Sequence, residues 1–565
     1  MTSYEFGGFR LDGARRVLWR GSEIVPLPPR ALDLLLALVE RSGEVVTKQE
    51  LMERVWPDTF VEEANLSVNV SLLRKALGEQ AGGAPFIETL SRRGYRFVAE
   101  TRRAEATPGP RSLAVLPFRP LSESEDDAAL GLGMADALIT RLSSLGQILV
   151  RPTGAVAKYA GGDPQQAGRA LRVDAVVDGR LQRVGTRLRL TAQLIAVEKG
   201  GPAWADMIET DASDPFAAQD RVAEQLAAAL ALRLGGPEQE LLARRPTTSV
   251  AAYEAHAKGR YFWSRLTAAS MSRAIGCFQE AAELDPGYAA PHAGLADALV
   301  AMGFSGAIPP SEAWPLALAE AEKALALDAR LPEPRIARAY VRLFQAWDWD
   351  FAERELVQAA RESPLSPSAR QWLGLFLAMR GRIAEARREV QEAYLLDPVS
   401  LIANTMLGFL HCLSGDHETE AEQYRRTLEL DPNQFLGYWG LGNGLTHLAC
   451  FQEAEAALRR AVELTEGSPF LRAVLAWSLA EAGRGGEARA ELAALDGPDT
   501  GYASPYQRAT VLSALGDADA AMAALEQAAE ARDPWLVWLR VDPMLAALRH
   551  RPDLARLSAR TQPPA

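Results

Sequence analysis

The segment from Thr47 to Phe97 constrains the fold most strongly, because it predicts two successive helices followed by a hairpin. Thr47 has the chemistry of a helix cap, and Glu50 three residues later completes a capping box. A second helix is predicted at 65–77, where apolar residues recur at helical spacing. These apolar residues are Leu66, Val70, Leu73 and Leu77. One face of the second helix should therefore be buried.

The other faces of this second helix carry short polar groups and a cation, which suit the major groove of DNA. Two strands, 86–90 and 95–98, flank a basic turn at 91–94 and form a wing suited to phosphates or the minor groove. We expect DNA contacts from Asn65, Ser67, Asn69, Ser71, Arg74, Lys75, Arg92, Arg93 and Tyr95, with Tyr95 bracing the wing. Arg74 follows the apolar Leu73, and its alternative is a pair with an acidic neighbour.

The segment resembles the winged-helix DNA-binding domain of the OmpR/PhoB type. The resemblance rests on Asn-Leu-x-Val-x-Val-x-x-Leu-Arg-Lys-x-Leu from Asn65 and on Ile-Glu-Thr-x-x-Arg-Arg-Gly-Tyr-Arg-Phe from Ile87. It implies that residues 1–103 are a winged helix-turn-helix (α+β) domain that binds double-stranded DNA. The preceding residues fit with short strands at 6–11, 17–20 and 23–27 and a first helix at 31–40.

Charge supports DNA binding only in one part of the chain. The protein has 61 basic and 73 acidic residues, a net charge of −12, which argues against general binding of polyanions. Residues 65–103 hold seven basic and three acidic residues, so positive charge is concentrated at the second helix and wing. A single module of this kind should bind modestly, and a homodimer on paired sites would raise its affinity.

Cysteine usage and hydropathy narrow the class of protein further. Cys277, Cys412 and Cys450 are far apart and have neither zinc-site nor redox-motif spacing, so we expect buried small apolar residues and predict no metal and no cofactor. The longest apolar run near the start, Leu34 to Val39, is far shorter than the ~20 residues that cross a membrane. Regulators of the CadC/ToxR type often have such a helix after the winged helix. We expect none here, no membrane contact and a cytoplasmic protein.

A linker at 104–111 separates the first domain from a predicted small α/β domain at 112–235. The predicted order of its elements is β-α-β-α-β-β-β-α. The motif Val-Leu-Pro-Phe ending at Phe118, the glycines near Asp136 and Asp178-Gly179 resemble the TolB-amino-terminal/FlgO-like domain. No phosphate-binding loop occurs, and Gly131-x-Gly133 lacks a third dinucleotide-binding glycine. We therefore favour packing or docking over ligand binding for this domain.

The rest of the chain repeats small and large residues with a 34-residue period, which is typical of tetratricopeptide helix pairs. Gly374, Gly408 and Gly442 follow this period, and a side chain there should force paired helices apart. We predict an all-α superhelix of about eight units at 248–531. Capping helices and a tail should follow at 532–565, with Trp535 and Trp538 covering the last exposed face.

The resemblance implies that the superhelix has a concave groove that binds a protein or peptide or drives self-association. Its lining is predicted to be basic, amide and aromatic, which suits an acidic or extended peptide; an ordinary solvated face is the alternative. The predicted lining residues are Arg335, Arg338, Arg342, Arg370, Asn404, Tyr438 and Asn443.

The sequence offers little catalytic chemistry. All six histidines lie in the helical region, and His417-Glu418-x-x-Ala421 lacks the second histidine of a zinc hydrolase. No Gly-x-Ser-x-Gly motif occurs, so we do not expect an enzyme. The sequence predicts a one-component transcriptional regulator of bacterial type. The alternative is a protein-interaction scaffold whose winged helix serves as a docking module.

Overall fold

This computed structural model describes residues 2–12, 17–20, 23–25, 27–55, 63–79, 83–91, 93–105, 110–122, 124–198, 200–211, 214–230, 232, 236–263, 268–496 and 502–562. Along the chain they form a winged-helix domain, a small α/β domain and a long helical superhelix.

The winged-helix domain packs three helices between two sheets. Its elements are β1 (Thr2–Phe6), β2 (Phe9–Asp12), β3 (Val17–Arg20), β4 (Glu23–Val25), α1 (Pro29–Val39), β5 (Val45–Thr47), α2 (Lys48–Val55), α3 (Glu63–Leu77), β6 (Ile87–Leu90), β7 (Gly94–Phe97) and β8 (Arg102–Glu105). The first sheet has the order β4-β3-β2-β1-β8, and the second has the order β5-β7-β6. Both sheets contribute phenylalanines to one core with the apolar faces of the helices.

Two expectations for this domain were wrong in detail. The strand predicted at 6–11 is divided into the end of β1 and most of β2 by a tight turn at Gly7 and Gly8, which adopt positive φ angles of +50° and +81°. The first sheet also extends to Glu105, which pairs with Thr2, so it runs two residues beyond the predicted domain end. Strand β5 was not predicted; it pairs with the wing strand β7.

The middle domain follows the predicted order of elements, with short additions. It consists of β9 (Ser112–Val115), β10 (Arg119–Pro120), α4 (Glu125–Ser144), β11 (Leu149–Val150), α5 (Thr153–Val156), α6 (Pro164–Ala170), β12 (Ala175–Val184), β13 (Arg187–Ala196), β14 (Pro202–Asp211), α7 (Pro215–Ala229) and α8 (Gly236–Ala243). The sheet order is β11-β9-β12-β13-β14, parallel as far as β12 and antiparallel beyond it. Helices α4 and α7 contribute to its core.

Sixteen helices form eight successive pairs in the described part of the superhelix. They are α9 (Val250–Trp263), α10 (Ala268–Leu284), α11 (Ala289–Ser305), α12 (Pro310–Leu327), α13 (Pro332–Ala346), α14 (Trp349–Glu362), α15 (Pro367–Met379), α16 (Ile383–Leu396), α17 (Leu401–Leu413), α18 (His417–Leu430), α19 (Phe435–His447), α20 (Phe451–Leu464), α21 (Pro469–Glu481), α22 (Gly485–Ala494), α23 (Pro505–Ala514) and α24 (Ala518–Glu530). We number the pairs as units 1 to 8.

The repeating glycines lie where the paired helices approach most closely. A Cβ atom on Gly374 would lie 2.6 Å from Val390 Cγ2, and one on Gly442 would lie 2.5 Å from Leu458 Cγ. A Cβ atom on Gly408 would lie 2.8 Å from a ring carbon of Tyr424. The predicted close approach of the helices at these three glycines is confirmed.

The glycines of α4 serve packing. A Cβ atom on Gly131 would lie 2.1 Å from the carbonyl oxygen of Phe118. One on Gly133 would lie 2.4 Å from the Cβ atom of Ala257, which belongs to α9 in unit 1. Gly133 therefore permits the middle domain to lie directly against the superhelix.

Polar contacts strengthen this docking at two separate places on the superhelix. Beside α9 and α10, Lys258 pairs with Asp126 at 2.9 Å, and Arg273 pairs with Glu125 at 3.1 Å. Further along the superhelix, the guanidinium of Arg151 donates to the carbonyl oxygen of Leu396 at the end of α16. The middle domain thus contacts both unit 1 and unit 4, so a movement of one unit relative to the other would change its contacts.

The C-terminal segment, residues 532–562, does more than cover the last unit. It contains two 3-10 turns (Pro534–Trp538 and Pro543–Leu548) and α25 (Pro552–Thr561). It packs on α23 and α24, and it also reaches the first helices of distant units. Trp535 stacks between Phe304 of unit 2 and Phe470 of unit 7, at ring-centroid distances of 4.7 and 4.8 Å. Because first helices from opposite parts of the array contact one side chain, the segment lies inside the concave groove.

Candidate nucleic-acid interface

Helix α3 has one buried face and one exposed face, as its apolar spacing predicts. Leu66, Val70, Leu73 and Leu77 are at most 2% exposed and join the domain core. Asn65, Ser67, Ser71 and Lys75 are exposed, and Asn69 is half-buried. The exposed face is therefore available to enter a groove.

Two arginines fix α3 in place without using its exposed face. Arg74 donates to the carbonyl oxygen of Ile87 at 2.8 and 3.0 Å and to Thr89 Oγ1 at 2.7 Å, which ties the helix to wing strand β6. Arg20 donates to the carbonyl oxygens of Ala76 and Leu77 at 2.8 and 3.2 Å, where a cation complements the helix C-terminus. The pairing of Arg74 with an acidic neighbour, considered from the sequence, is not what these contacts show.

The polar residues of the exposed face differ in their freedom. Asn69 Nδ2 donates to the carbonyl oxygen of Asn65 at 2.8 Å, so part of its amide is already bonded to the helix backbone. Within the described residues, Lys75 and Arg93 form no ion pair, which leaves both cations able to meet phosphates.

The wing is a regular antiparallel hairpin backed by β5. Gly94 is required at its turn, because a Cβ atom there would lie 2.0 Å from the carbonyl oxygen of Val46. Tyr95 is only 5% exposed and packs in the domain core, which fits a bracing role. Arg93 is exposed at the tip, whereas Arg92 lies outside the described residues.

The predicted capping box at the start of α2 is confirmed. The backbone N–H of Thr47 donates to Glu50 Oε2 at 2.8 Å, and the N–H of Glu50 donates to Thr47 Oγ1 at 3.2 Å. Hydrogen bonds from Thr47 and from Arg41 hold the pKa of Glu50 down, at about 2. A charged carboxylate therefore fixes the helix that precedes α3.

Sequence reasoning missed two apolar residues on the exposed face of α3. Val68 is 57% exposed and Leu72 is 40% exposed, and the two lie one turn apart. The signal was present in the sequence, since both lie opposite the buried Leu66-Val70 stripe.

The side chains predicted to line the groove of the superhelix are mostly engaged within their own repeats. Arg335 and Arg338 both pair with Glu355, Arg342 pairs with Asp348 at 2.9 Å, and Arg370 pairs with Glu389 at 3.0 Å. Asn404 and Asn443 are each 4% exposed, and Tyr438 is half-buried. Asn443 lines a small cavity beside the C-terminal segment. Partner binding through these residues stays a prediction, and it would require the ion pairs to exchange.

Residues 21–97 match the family "Transcriptional regulatory protein, C terminal", and residues 506–533 match the tetratricopeptide repeat. The first domain is an OmpR/PhoB-type DNA-binding domain. Transcriptional regulator HilA of Salmonella typhimurium is 25% identical over 403 residues, which is 70% of each chain. The structure of the DNA-binding domain of CadC from E. coli is 27% identical and covers 18% of this chain and 98% of that one, with a TM-score of 0.17.

A putative adenylate cyclase 3 of Rhizobium meliloti is also similar, at 31% identity over 190 residues. This match covers 33% of the chain and 32% of that protein. Within the described part of the chain, we find no helix with the length and apolar character of a membrane span. Taken with the regulator relatives, the winged helix and the repeats define a DNA-binding transcriptional regulator with a protein-interaction region.

Proposed function

We propose that α3 reads base edges in the major groove of double-stranded DNA while the wing contacts the backbone. The observation that carries this proposal is the exposed face of α3, held rigidly by Arg74 and Arg20 on its other sides. In this proposal Asn65, Ser67, Asn69, Ser71 and Lys75 face bases or adjacent phosphates, and Arg92 and Arg93 contact phosphates or the minor groove. Arg74 and Tyr95 position the helix and the wing.

Val68 and Leu72 extend this proposal to sequence preference. Apolar side chains that enter the major groove read thymine through its methyl group. With the amide of Asn69 one turn from Asn65, the face combines a reader of adenine with two readers of thymine. We infer that the preferred half-site is rich in A·T pairs.

Selection of bound duplexes from a random DNA library by the full chain tests this function. We expect enrichment of one motif, and a preference for it over unrelated duplex of about a thousandfold or more. Val68→Ala should relax the preference at one thymine, whereas Gln49→Ala, an exposed change on α2, should leave it unchanged. Failure to enrich any motif would favour the alternative of a scaffold with a docking winged helix.

We further propose that the repeats receive the signal by binding a protein or a second copy of the chain. An acidic segment could replace the intramolecular carboxylates of Glu355 and Glu389, because these pair with the half-buried Arg338 and Arg370. Arg370→Glu should abolish regulation in cells while DNA binding persists. Arg370→Glu with Glu389→Arg restores the internal ion pair and serves as the matched control. A truncated chain, residues 1–235, that still responded fully would contradict a signal through the repeats.

The middle domain couples the two activities in this proposal, since it docks on units 1 and 4 through contacts such as Arg151 with Leu396. Its resemblance to the TolB-amino-terminal/FlgO-like domain stays a prediction. We assign no catalytic activity, because the cyclase relative matches over only 32% of its own length. Access to chromosomal DNA would place the regulator in the bacterial cytoplasm. Homodimerisation on paired sites would supply the affinity that one small module lacks.

A further inference from the structure

Three metal-ligating side chains meet where α17, α18 and α19 come together. Cys412 lies near the end of α17, His417 begins α18, and His447 ends α19. The Sγ atom of Cys412 and one ring nitrogen of each histidine all lie within 4.8 Å of one another. The two imidazoles are stacked, with ring centroids 4.2 Å apart. His447 thus joins two residues that precede it by 35 and 30 positions in the sequence.

The neighbouring repeat shows that the helical packing does not itself require these side chains. Thirty-four residues earlier, the positions of Cys412, His417 and His447 are occupied by residues without a strong ligand atom. They are Ala378, Ile383 and Leu413. A fourth exchange accompanies them, because Glu420 takes the place of Ala386, a fully buried alanine. Units 5 and 6 therefore carry a thiol, two imidazoles and a carboxyl group where the preceding units have small or apolar residues.

The atoms of the cluster are oriented for ligation. Glu420, only 1% exposed, accepts from or shares a proton with His417 Nδ1 at 2.9 Å, which leaves Nε2 of that ring for another partner. A carboxylate on the second nitrogen is the usual arrangement around a metal-bound histidine. The Nε2 atom of His447 is buried and has no hydrogen-bond partner among the described residues. Such an orphaned buried nitrogen is costly unless something binds it.

Binding of a cation would release the thiol proton of Cys412 to solvent and leave a thiolate, whose negative charge the cation would offset.

We propose that Cys412, His417 and His447 bind one divalent cation of the zinc class. One sulfur and two imidazole nitrogens favour zinc over magnesium or calcium, which prefer oxygen ligands. Glu420 orients His417 and is hydrogen-bonded to the thiol of Cys412, so its carboxylate or a water molecule would supply the fourth donor. Donor atoms of a tetrahedral zinc site are roughly 3.3–3.8 Å apart, so small side-chain rotations suffice to close the cluster.

The proposal is tested on the full chain after treatment with a chelator. Titration with Zn²⁺ and with Co²⁺ should show one equivalent bound, a thiolate-to-cobalt charge-transfer band, and a higher melting temperature with metal. Cys412→Ala and His447→Leu introduce the residue types that units 4 and 5 carry 34 residues earlier, at Ala378 and Leu413, so both variants should fold. Each should weaken binding by about a hundredfold or more, and Cys412→Ala should remove the cobalt band.

Matched controls are Cys450→Ala and His550→Gln, both exposed and outside the cluster, which should bind metal as the unchanged chain does. If Cys412→Ala failed to fold, Cys412→Ser would keep the size of the side chain and should still lose the cobalt band. The site would be overturned if the unchanged chain bound no zinc, or if the Cys412 and His447 variants bound it with unaltered stoichiometry and affinity.

Discussion

Trp538→Ala should release the C-terminal segment from the groove of the superhelix. Trp538 is 3% exposed, and its ring meets Phe409 of unit 5 edge to face at a centroid distance of 4.9 Å. Its indole N–H has no hydrogen-bond partner among the described residues, so the variant loses packing but no hydrogen bond. Replacing a buried tryptophan by alanine costs about 3–5 kcal/mol.

We expect that cost to fall mainly on local opening of the segment, because residues 534–548 follow α24 and belong to none of the eight helix pairs. A loss of about 3–5 kcal/mol corresponds to roughly a hundredfold to a few thousandfold faster exchange of protected amides. Hydrogen-exchange mass spectrometry of the full chain measures this directly over peptides from 534–562. Trypsin cleavage at Arg540 and Arg549 should accelerate in parallel.

Trp535→Ala is the matched comparison. Trp535 is only half-buried, although it stacks with Phe304 and Phe470, so its removal should accelerate exchange less than removal of Trp538. Unchanged exchange in 534–562 of the Trp538 variant would show that the segment does not depend on groove contacts. Uniform acceleration through every repeat would instead show that Trp538 is part of the global core, and that the segment cannot leave independently.

Three other outcomes are expected. Gly408→Leu should destabilise the full chain by about 1–3 kcal/mol or more in thermal melts, because its Cβ atom starts 2.8 Å from Tyr424. Gly486→Leu, at an exposed position of α22 with open space around it, is the comparison, and an equal effect there would refute the packing argument. Asn69→Ala should weaken binding to the selected DNA motif by about 1–3 kcal/mol and relax the base preference there. Arg93→Ala should instead weaken binding to all duplexes alike and flatten the salt dependence of binding. Gel-shift titrations in which Asn69→Ala bound normally would contradict the groove assignment. Burial and the nearby Glu333 raise the pKa of Asp297 to about 7. The contribution of this group to the free energy of unfolding is therefore largest below about pH 4 and falls as the pH rises through 7. Asp297→Asn should therefore raise the melting temperature at pH 8 and have little effect at pH 4, and calorimetry showing the opposite trend would refute the sign.

The sequence alone was sufficient for features that depend on short-range patterns. The capping box of Thr47 and Glu50, the buried stripe of α3 and the hairpin after it are all encoded within a few residues of one another. The glycines at 34-residue spacing likewise reveal where paired helices touch, because each repeat packs on its neighbour in the same way. Such patterns fix element type, the buried faces and the resemblance to a DNA-binding domain.

Sequence patterns did not predict the bounds of short elements or the role of a side chain whose partners lie on another element. The Gly7-Gly8 turn divides what looks like one strand, since only glycine adopts both positive φ angles readily. The part played by Arg74 also could not be assigned from its neighbours, because its partners Ile87 and Thr89 lie on a different element.

Only the tertiary structure decided which distant side chains meet. The curvature of the superhelix brings units 2 and 7 to opposite sides of Trp535, and no sequence spacing reports that curvature. Cys412 and His447 are 35 residues apart, so they become neighbours only because successive repeats stack with a 34-residue register. Periodicity along the chain determines each helix pair. Small rotations between pairs accumulate over many repeats, and they decide that the C-terminal segment fills the groove and that Cys412, His417 and His447 lie together.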